Sequence, residues 1–341
     1  MFRETKATKA PWSFRRKLLL GAISIVVILG IALGLGLGLT IGRKSGDNDN
    51  DSDSNDSNPT PTSTQSPLPS PTGRLPWTPQ VNDTWQIILQ NTISLEQDAT
   101  SVTPDVSIFD LDLFNTPTAT ISKLHRLNKR VLCYFSGGSY EPGRPDSEEF
   151  AEADMGKELK GWPGERWLNL SSAGIRKIME GRVKLAGEKG CDGVDVDNVD
   201  GYQNTNGLSL TEADSISFMR FLSNLTNPLN ITLGLKNAGR IIPSVLSVVD
   251  FSVNEQCVEY AECSTFAAFV DAGKPVFHIE YPSGAGTKLS ENTMKEKCGS
   301  TGDAKGRSGF STVLKKMDLD GWVEYCDGSI EVTAVNTTAP Y

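Results

Sequence analysis

Cys191-Asp192-Gly193-Val194-Asp195-Val196-Asp197-Asn198-Val199-Asp200-Gly201-Tyr202 is the stretch on which the fold turns. It begins as a buried strand and ends as a loop crowded with carboxylates. Side chains alternate along a strand, so Val194 and Val196 point to one side and Asp195 and Asp197 to the other. Two carboxylates on one face of a core strand are costly to bury unpaired, a cost usually tolerated where chemistry occurs. A second apolar run, Val248-Val249-Asp250-Phe251-Ser252-Val253-Asn254-Glu255, also ends in an acid, 58 residues after Asp197. An acid at each of two strand ends is the arrangement that glycoside hydrolysis requires. The competing readings are helix capping, pairing with buried arginines and calcium binding. A helix-loop-helix calcium site wants D-x-[DN]-x-[DN]-G with Glu at the twelfth position. Residues 195–201 break that spacing and follow a hydrophobic strand.

Working outward, short β-rich apolar runs recur at 85–89, 106–113, 130–135, 167–170, 193–197, 231–235, 248–253 and 275–280, with a ninth at 321–325. Amphipathic helices separate several of them. Ile175, Ile178, Met179, Val183 and Ala186 share one face, with Ser172 as N-cap and Gly190 at the end. Phe218, Phe221, Leu222 and Leu225 form a second face, opened by Thr211 with Asp214 three residues on. Phe266, Phe269 and Val270 form a third, closed by Gly273. Strands alternating with helices predict a parallel sheet. Eight runs in about 250 residues fit an α/β fold of the (β/α)₈ TIM-type barrel class, whose active sites lie at the C-terminal strand ends. An open doubly wound sheet is the alternative, but no G-x-G-x-x-G or Walker motif follows any strand. In the barrel reading one rim collects Asp110 and Asp112, Tyr134 and Ser136, Asp195 and Asp197, Lys236 and Asn237, Glu255, and Glu280 and Tyr281.

The ends of the chain carry a different message. Residues 1–44 hold eight Lys or Arg and one Glu, a net of +7, against −9 for the whole, so the remainder carries −16. Residues 18–41 contain no charge and lie between Arg15-Arg16-Lys17 and Arg43-Lys44. At about 1.5 Å per residue this helix exceeds the roughly 30 Å hydrocarbon core, and it is longer than a cleavable signal's apolar region. The basic segment 1–17 is expected to stay cytoplasmic. The result is a single transmembrane signal-anchor helix at 18–41 and an Asp/Ser/Pro/Thr-rich disordered linker at 42–80. The catalytic domain at 81–341 would stand outside the cell membrane in a type II orientation, with release to the wall or medium as the variant outcome. Gly30, Gly34, Gly38 and Gly42 share a helix face, but such spacing is frequent in Gly-rich spans. Six cysteines in an exported domain suggest disulfides, Cys257–Cys263 and Cys298–Cys326 being favoured. Cys133 and Cys191 could pair or remain buried thiols. Sequons at Asn82, Asn169, Asn224, Asn230 and Asn336 fit export.

Composition excludes several chemistries. His125 falls in a helix and His278 in a strand, and no G-x-S-x-G elbow exists, so a Ser-His-Asp triad has no base. Neither a His-rich metal site nor a C-x-x-C zinc site can be built, so no metal and no cofactor is expected. An outer domain of −16 argues against nucleic acid and anionic polymers and suits a neutral or cationic substrate. Tyr134, Tyr140, Trp167, Tyr202, Tyr281 and Trp322 lie near strand ends, where aromatic rings either pack or stack on sugars.

The sequence resembles the fungal endo-α-1,4-polygalactosaminidases of glycoside hydrolase family 114. The resemblance is carried by Trp85-Gln86-Ile87-Ile88-Leu89, Phe109-Asp110-Leu111-Asp112-Leu113-Phe114, and Cys133-Tyr134-Phe135-Ser136-Gly137-Gly138 followed by Arg144-Pro145-Asp146. Further on it is carried by residues 193–202, Leu235-Lys236-Asn237 and Asn254-Glu255-Gln256-Cys257. It covers residues 80 to about 330. The resemblance implies a (β/α)₈ barrel that cleaves α-1,4-galactosamine linkages in partly deacetylated galactosaminogalactan, a cationic amino-sugar polysaccharide. It places the family's catalytic Asp on Asp197 and its Glu on Glu255, as nucleophile and acid/base of a retaining mechanism. Asp110, Asp112, Tyr134, Arg144, Asp195, Asp200, Tyr202, Lys236, Asn237, Glu280 and Tyr281 are the expected substrate-binding set. Asp195 rivals Asp197 because both point the same way. A non-catalytic carbohydrate-binding barrel and a hydrolase of α-linked N-acetylgalactosamine are the alternatives. No obligate protein partner is expected.

Overall fold

The computed structural model describes residues 77–337. The basic segment, the 18–41 span with its glycine face, and the linker up to residue 76 lie outside the described residues. Among the described residues no helix is long and apolar enough to cross a membrane.

Eight strands run parallel and in sequence order. They are β1 (Trp85–Ile88), β2 (Ile108–Asp112), β3 (Arg130–Ser136), β4 (Gly193–Asp197), β5 (Thr232–Lys236), β6 (Phe251–Glu255), β7 (Val276–Glu280) and β8 (Ser311–Leu314). Two further strands, β9 (Trp322–Tyr325) and β10 (Ile330–Val332), continue the sheet antiparallel. The sheet curls until β1 lies against β8, but its end strands β1 and β10 are not paired to each other. Side chains close the seam. The Trp85 indole N–H donates to Ser311 O at 2.7 Å, and the Tyr325 hydroxyl donates to Trp85 O at 3.1 Å. Lys315 Nζ donates to Gln86 Oε1 at 3.0 Å.

Helices α1 (Thr118–Arg126), α2 (Ala173–Lys189), α3 (Glu212–Thr226), α4 (Ile242–Val245), α5 (Cys263–Asp271) and α6 (Glu291–Cys298) fill the crossovers from β2 onward. Their ends follow the sequence signals. Ser172 Oγ accepts the Gly174 N–H, and α2 stops at Gly190 with φ 88°. Thr211 and Asp214 close a reciprocal capping box on α3. Along α2, Ile175, Met179, Val183 and Ala186 are buried against the sheet. Each large aliphatic side chain so buried contributes about 1.5–3 kcal/mol.

Two expected strands change place. Residues 167–170 are not a barrel strand. Arg166–Leu168 pairs antiparallel with Ser139–Tyr140 and Met155–Glu158 in a three-stranded sheet inserted after β3. The eighth parallel strand is instead Ser311–Leu314, and the run at 321–325 is antiparallel. Asp195 and Asp197 therefore end the fourth strand rather than the fifth. All six cysteines pair, as Cys257–Cys263, Cys298–Cys326 and Cys133–Cys191.

The alternation of the strands divides the apolar residues into two cores. Phe109, Leu111, Phe135, Val194, Val196, Leu233 and Leu235 face the helices. Trp85, Ile87, Leu132, Phe251, Val253, Phe277 and Ile279 fill the interior of the curl. Gly234 belongs to the interior set because a Cβ there would meet the Phe251 ring at 2.4 Å. Toward the C-terminal ends of the strands the interior positions become polar, and this change of chemistry along one face locates the site.

Candidate active site

Asp195 and Asp197 lie on the interior face of β4, two residues apart, and differ in access. Asp195 is fully buried, whereas the Asp197 side chain keeps 17% of its surface. Glu255, at the end of β6, keeps 25%. Between them stands Lys236 from the end of β5, 2% exposed. Its ammonium lies 3.4 Å from Asp197 Oδ2, 3.8 Å from Glu255 Oε2 and 3.6 Å from Asp195 Oδ2. Because Asp197 Oδ2 and Glu255 Oε2 approach one nitrogen, they stand within roughly 7 Å of each other, a spacing of the order found in glycosidase acid pairs. Burial alone would lower the Lys236 ammonium, but Asp195, Asp197 and Glu255 outweigh it and push it well above the usual lysine value. Lys236 is therefore a fixed positive charge.

Hydrogen bonds hold both acids in place. The Tyr134 hydroxyl donates to Asp197 Oδ2 at 3.0 Å, and the Asn198 N–H donates to Oδ1 at 2.7 Å. The Tyr281 hydroxyl donates to Glu255 Oε1, and Asn237 Nδ2 donates to Oε2 at 3.1 Å. Asn237 Oδ1 in turn accepts the Glu255 N–H at 2.8 Å. Burial and the adjacent carboxylates raise both phenols well above the usual tyrosine value, so each remains a donor. The loop after β3 lies tight against this region. A Cβ on Gly138 would sit 1.8 Å from Asn198 O. Ser136 Oγ and Ser139 Oγ both donate to Asn198 Oδ1, at 2.8 and 3.2 Å.

The other expected site residues divide into three groups. Tyr134, Lys236, Asn237 and Tyr281 converge on the acid pair. Asp112 and Arg144 do not reach it as free groups. Arg144 spans Asp112 Oδ2 at 2.6 Å and Glu141 Oε1 at 2.7 Å, while Asp112 Oδ1 accepts the Phe114 and Asn115 N–H groups. Asp200 and Tyr202 flank the mouth beyond β4, half-buried, with Arg240 over the Tyr202 ring at 5.8 Å. Burial raises the Asp200 carboxyl, with Gln203 opposing.

Two expected lining residues are corrected. Asp110 is 0% exposed, with neither oxygen hydrogen-bonded among the described residues. It lies below Asp195, out of reach of a substrate. Glu280 is on the opposite pleat of β7, because Phe277 and Ile279 are the interior residues. Its Oε1 accepts the Val258 N–H at 2.8 Å and meets His278 Nε2 at 3.0 Å, and its Oε2 is 3.3 Å from Lys297. Glu280 thus ties the loop after β6 to the helix layer. Among the described residues one cluster has metal-ligand spacing, Cys257, Cys263 and His278, but its two sulfurs are joined to each other.

Several residues at the mouth escaped the sequence reading. Glu141 and Glu165 stand on the segment after β3, and burial lifts Glu165 to about 7, with Glu141 and Asp197 adding to the effect and the Ser139 hydroxyl opposing it. Trp162 and Tyr260, 56% and 66% exposed, stand on the loops after β3 and β6. The aromatic residues named from the sequence are buried or half-buried instead. An isolated aromatic in a polar loop was the available signal.

The fold that carries these acids is shared with known proteins. The family model described as Glycoside-hydrolase family GH114 matches residues 67–331. The chain belongs to glycoside hydrolase family GH114. It is accordingly a glycoside hydrolase. Among solved structures this GH114 chain is similar to Aspergillus fumigatus Ega3 in complex with galactosamine, at 49% identity and a TM-score of 0.68, over 74% of this chain and 99% of that one. The glycoside hydrolase domain of PelA from Pseudomonas aeruginosa is similar in fold, at 13% identity and a TM-score of 0.54, with the same coverages. No curated protein matches the chain.

One prediction concerns the GH114 barrel floor. Burial, with Asp195 adding to it, holds the Asp110 carboxyl well above its ordinary value. A carboxyl raised on folding contributes stability below its unfolded pKa and loses it as pH rises toward the folded value. Asp110→Asn removes that proton uptake. The melting temperature of the variant relative to wild type is expected to rise between pH 4 and pH 8. A difference independent of pH would contradict it.

Proposed function

We propose that the protein is an endo-acting hydrolase of α-1,4-galactosamine linkages in partly deacetylated galactosaminogalactan, working with retention of configuration. The observation that carries this reading is the pair Asp197 and Glu255, both open to the cleft and both held on Lys236. In the first step an Asp197 oxygen attacks the anomeric carbon. The glycosidic C–O bond breaks, and the leaving oxygen takes a proton from Glu255. In the second, Glu255 takes a proton from water as that water's oxygen displaces Asp197 from the same carbon. Asp195, without access to the cleft, acts on Asp197 through Lys236. The similarity to Ega3, solved with galactosamine, supports the substrate class, as does the −16 charge beyond residue 44. Trp162 and Tyr260, exposed on the loops after β3 and β6, are aromatic rings available to stack on sugar units. The uncharged span at 18–41 supports action at the outer face of the cell membrane.

Product analysis on defined α-1,4-galactosamine and N-acetylgalactosamine oligomers tests the proposal. Cleavage of the deacetylated oligomer, with internal products first, is expected. Exposed ion pairs are each worth only about 0–1 kcal/mol, but several along a polymer add, so the rate should fall as salt rises. Preference for the fully acetylated oligomer at low salt would overturn the substrate assignment, and absence of turnover on both would leave a binding protein.

A further inference from the structure

Within the described residues the acceptor pattern Asn-x-Ser/Thr occurs at Asn82, Asn169, Asn224, Asn230 and Asn336. The fold sorts these positions. Because β1 to β8 run parallel, their N-terminal ends form a base opposite the cleft. Asn82 stands just before β1, and Asn230 just before β5. Asn224 lies in the last turn of α3, the helix that returns the chain to the start of β5. All three are exposed at the base. Asn169 lies at the other end, between the inserted sheet and the start of α2, half-buried, with its Oδ1 accepting the Ser171 N–H at 3.2 Å. Asn336 pairs with Thr92 in a two-stranded sheet, and its pattern extends to residue 338, outside the described residues.

Backbone geometry accounts for part of this. Asn82 and Asn230 have φ of 71° and 54°, a left-handed conformation that asparagine adopts more readily than most side chains. A turn explains the Asn but not the Thr two residues later. Asn224 has no such excuse, being a poor helix former on an exposed helical position. The hydroxyls that complete the patterns differ in access. Thr84 is exposed. Thr226 is fully buried, its Oγ1 donating to Ser223 O at 3.3 Å, and Thr232 is 7% exposed, its Oγ1 donating to Asp192 O at 3.2 Å. Folding thus leaves the Asn224 and Asn230 amides in solvent but hides the hydroxyls by which the pattern is recognised.

We propose that Asn82, Asn224 and Asn230 carry N-linked oligosaccharides at the base of the barrel, that Asn169 stays bare, and that Asn224 and Asn230 are modified before α3 and β5 pack. The donor is a lipid-diphosphate-linked oligosaccharide. The Asn Nδ2 bonds to the anomeric carbon of its first sugar, the bond from that carbon to the phosphate oxygen breaks, the lipid diphosphate leaves with the electron pair, and one amide proton passes to solvent. The sugars at Asn224 and Asn230 flank the turn between α3 and β5 and leave the cleft, at the opposite end, open to a polymer. The assignment rests on the reading of this domain as exported.

The test uses the full-length protein made in a eukaryotic host. Enzymatic deglycosylation in ¹⁸O water turns each occupied Asn into a labelled Asp, which peptide mass spectrometry locates. Label is expected at Asn82, Asn224 and Asn230 in most molecules, and not at Asn169. Native deglycosylated protein, and the triple variant with Asn82→Gln, Asn224→Gln and Asn230→Gln, should keep kcat/KM within about twofold of the glycosylated enzyme. Folded protein made without sugar and then given an oligosaccharyltransferase with its lipid-linked donor should gain sugar at Asn82 but not at Asn224 or Asn230. Bare Asn224 and Asn230 in the exported protein, label at Asn169, or a larger loss of activity on native deglycosylation overturns the assignment. Modification of folded protein at Asn224 and Asn230 as readily as at Asn82 overturns the order of events. Export is read separately, by labelling intact cells with a membrane-impermeant amine reagent. Bare sites on labelled protein remove the glycan assignment alone, and bare sites on unlabelled protein remove the export reading with it.

Discussion

Asp197→Asn and Glu255→Gln are each expected to lower turnover by roughly 10³-fold or more while the protein stays folded. Both changes keep the side-chain volume and sit at the cleft surface rather than in the core. Their partners survive, since Tyr134, Asn198 N–H, Tyr281 and Asn237 are untouched. Melting temperatures near wild type would accompany the loss. The roles are separated by azide. In an Asp197→Gly variant, azide can enter the space left by the nucleophile and attack the anomeric carbon once, giving a glycosyl azide of inverted configuration. The same addition to Asp195→Gly should give none, because that side chain has no access to the cleft. Near-normal turnover by Asp197→Asn, together with an inactive Asp195→Asn, would move the nucleophile down by one pleat.

Lys236→Met should be the most damaging change of a residue that does not itself react. It removes the cation shared by Asp195, Asp197 and Glu255 and leaves three carboxylates facing one another. Breaking a buried ion pair from one side costs about 3–5 kcal/mol, so a clear drop in melting temperature is expected. Loss of one preorganised charge at a reacting centre costs roughly 10²–10³ in kcat. The fall should appear in kcat with little change in KM, because Lys236, at 2% exposure, offers almost no surface to a substrate. Lys236→Arg should not restore it, since a planar guanidinium cannot reproduce a compact ammonium among three acids. A variant that keeps both its stability and its kcat would show that the three distances to Lys236 carry no function.

Much of the site was legible because its signals are local. A strand ending in Asp195 and Asp197, a second ending in Glu255, and Lys236-Asn237 between them announce a polar rim in one dimension. The caps at Ser172 and Thr211 and the stop at Gly190 could also be read, since a cap depends only on residues within a turn or so of the helix end. The short Cys257–Cys263 loop favoured its own pairing for the same reason. The barrel strands were harder. Trp167 and Leu168 are as apolar as a core strand but are buried by an inserted antiparallel sheet. Ser311–Leu314 is only four residues long, too short for an apolar run to stand out from its surroundings.

The sequence by itself determined the kind of chemistry: carboxylates on strand ends, histidines without a catalytic setting, and a strongly acidic chain beyond residue 44. Only the tertiary structure decided which of those carboxylates reach the cleft. In a parallel sheet covered on one face by helices and filled on the other by its own interior, both faces are buried. Period-two alternation therefore separates the residues into two sets without saying which set faces inward. The register between β6 and β7, with Glu255 beside Ile279, settles the matter by placing Ile279 and Tyr281 inside and Glu280 outside. Depth along the strand is equally a property of the assembled curl. It leaves Asp110 and Asp195 under the floor and Asp197 at the surface, and it brings Lys236 from the neighbouring strand to a point shared by three acids.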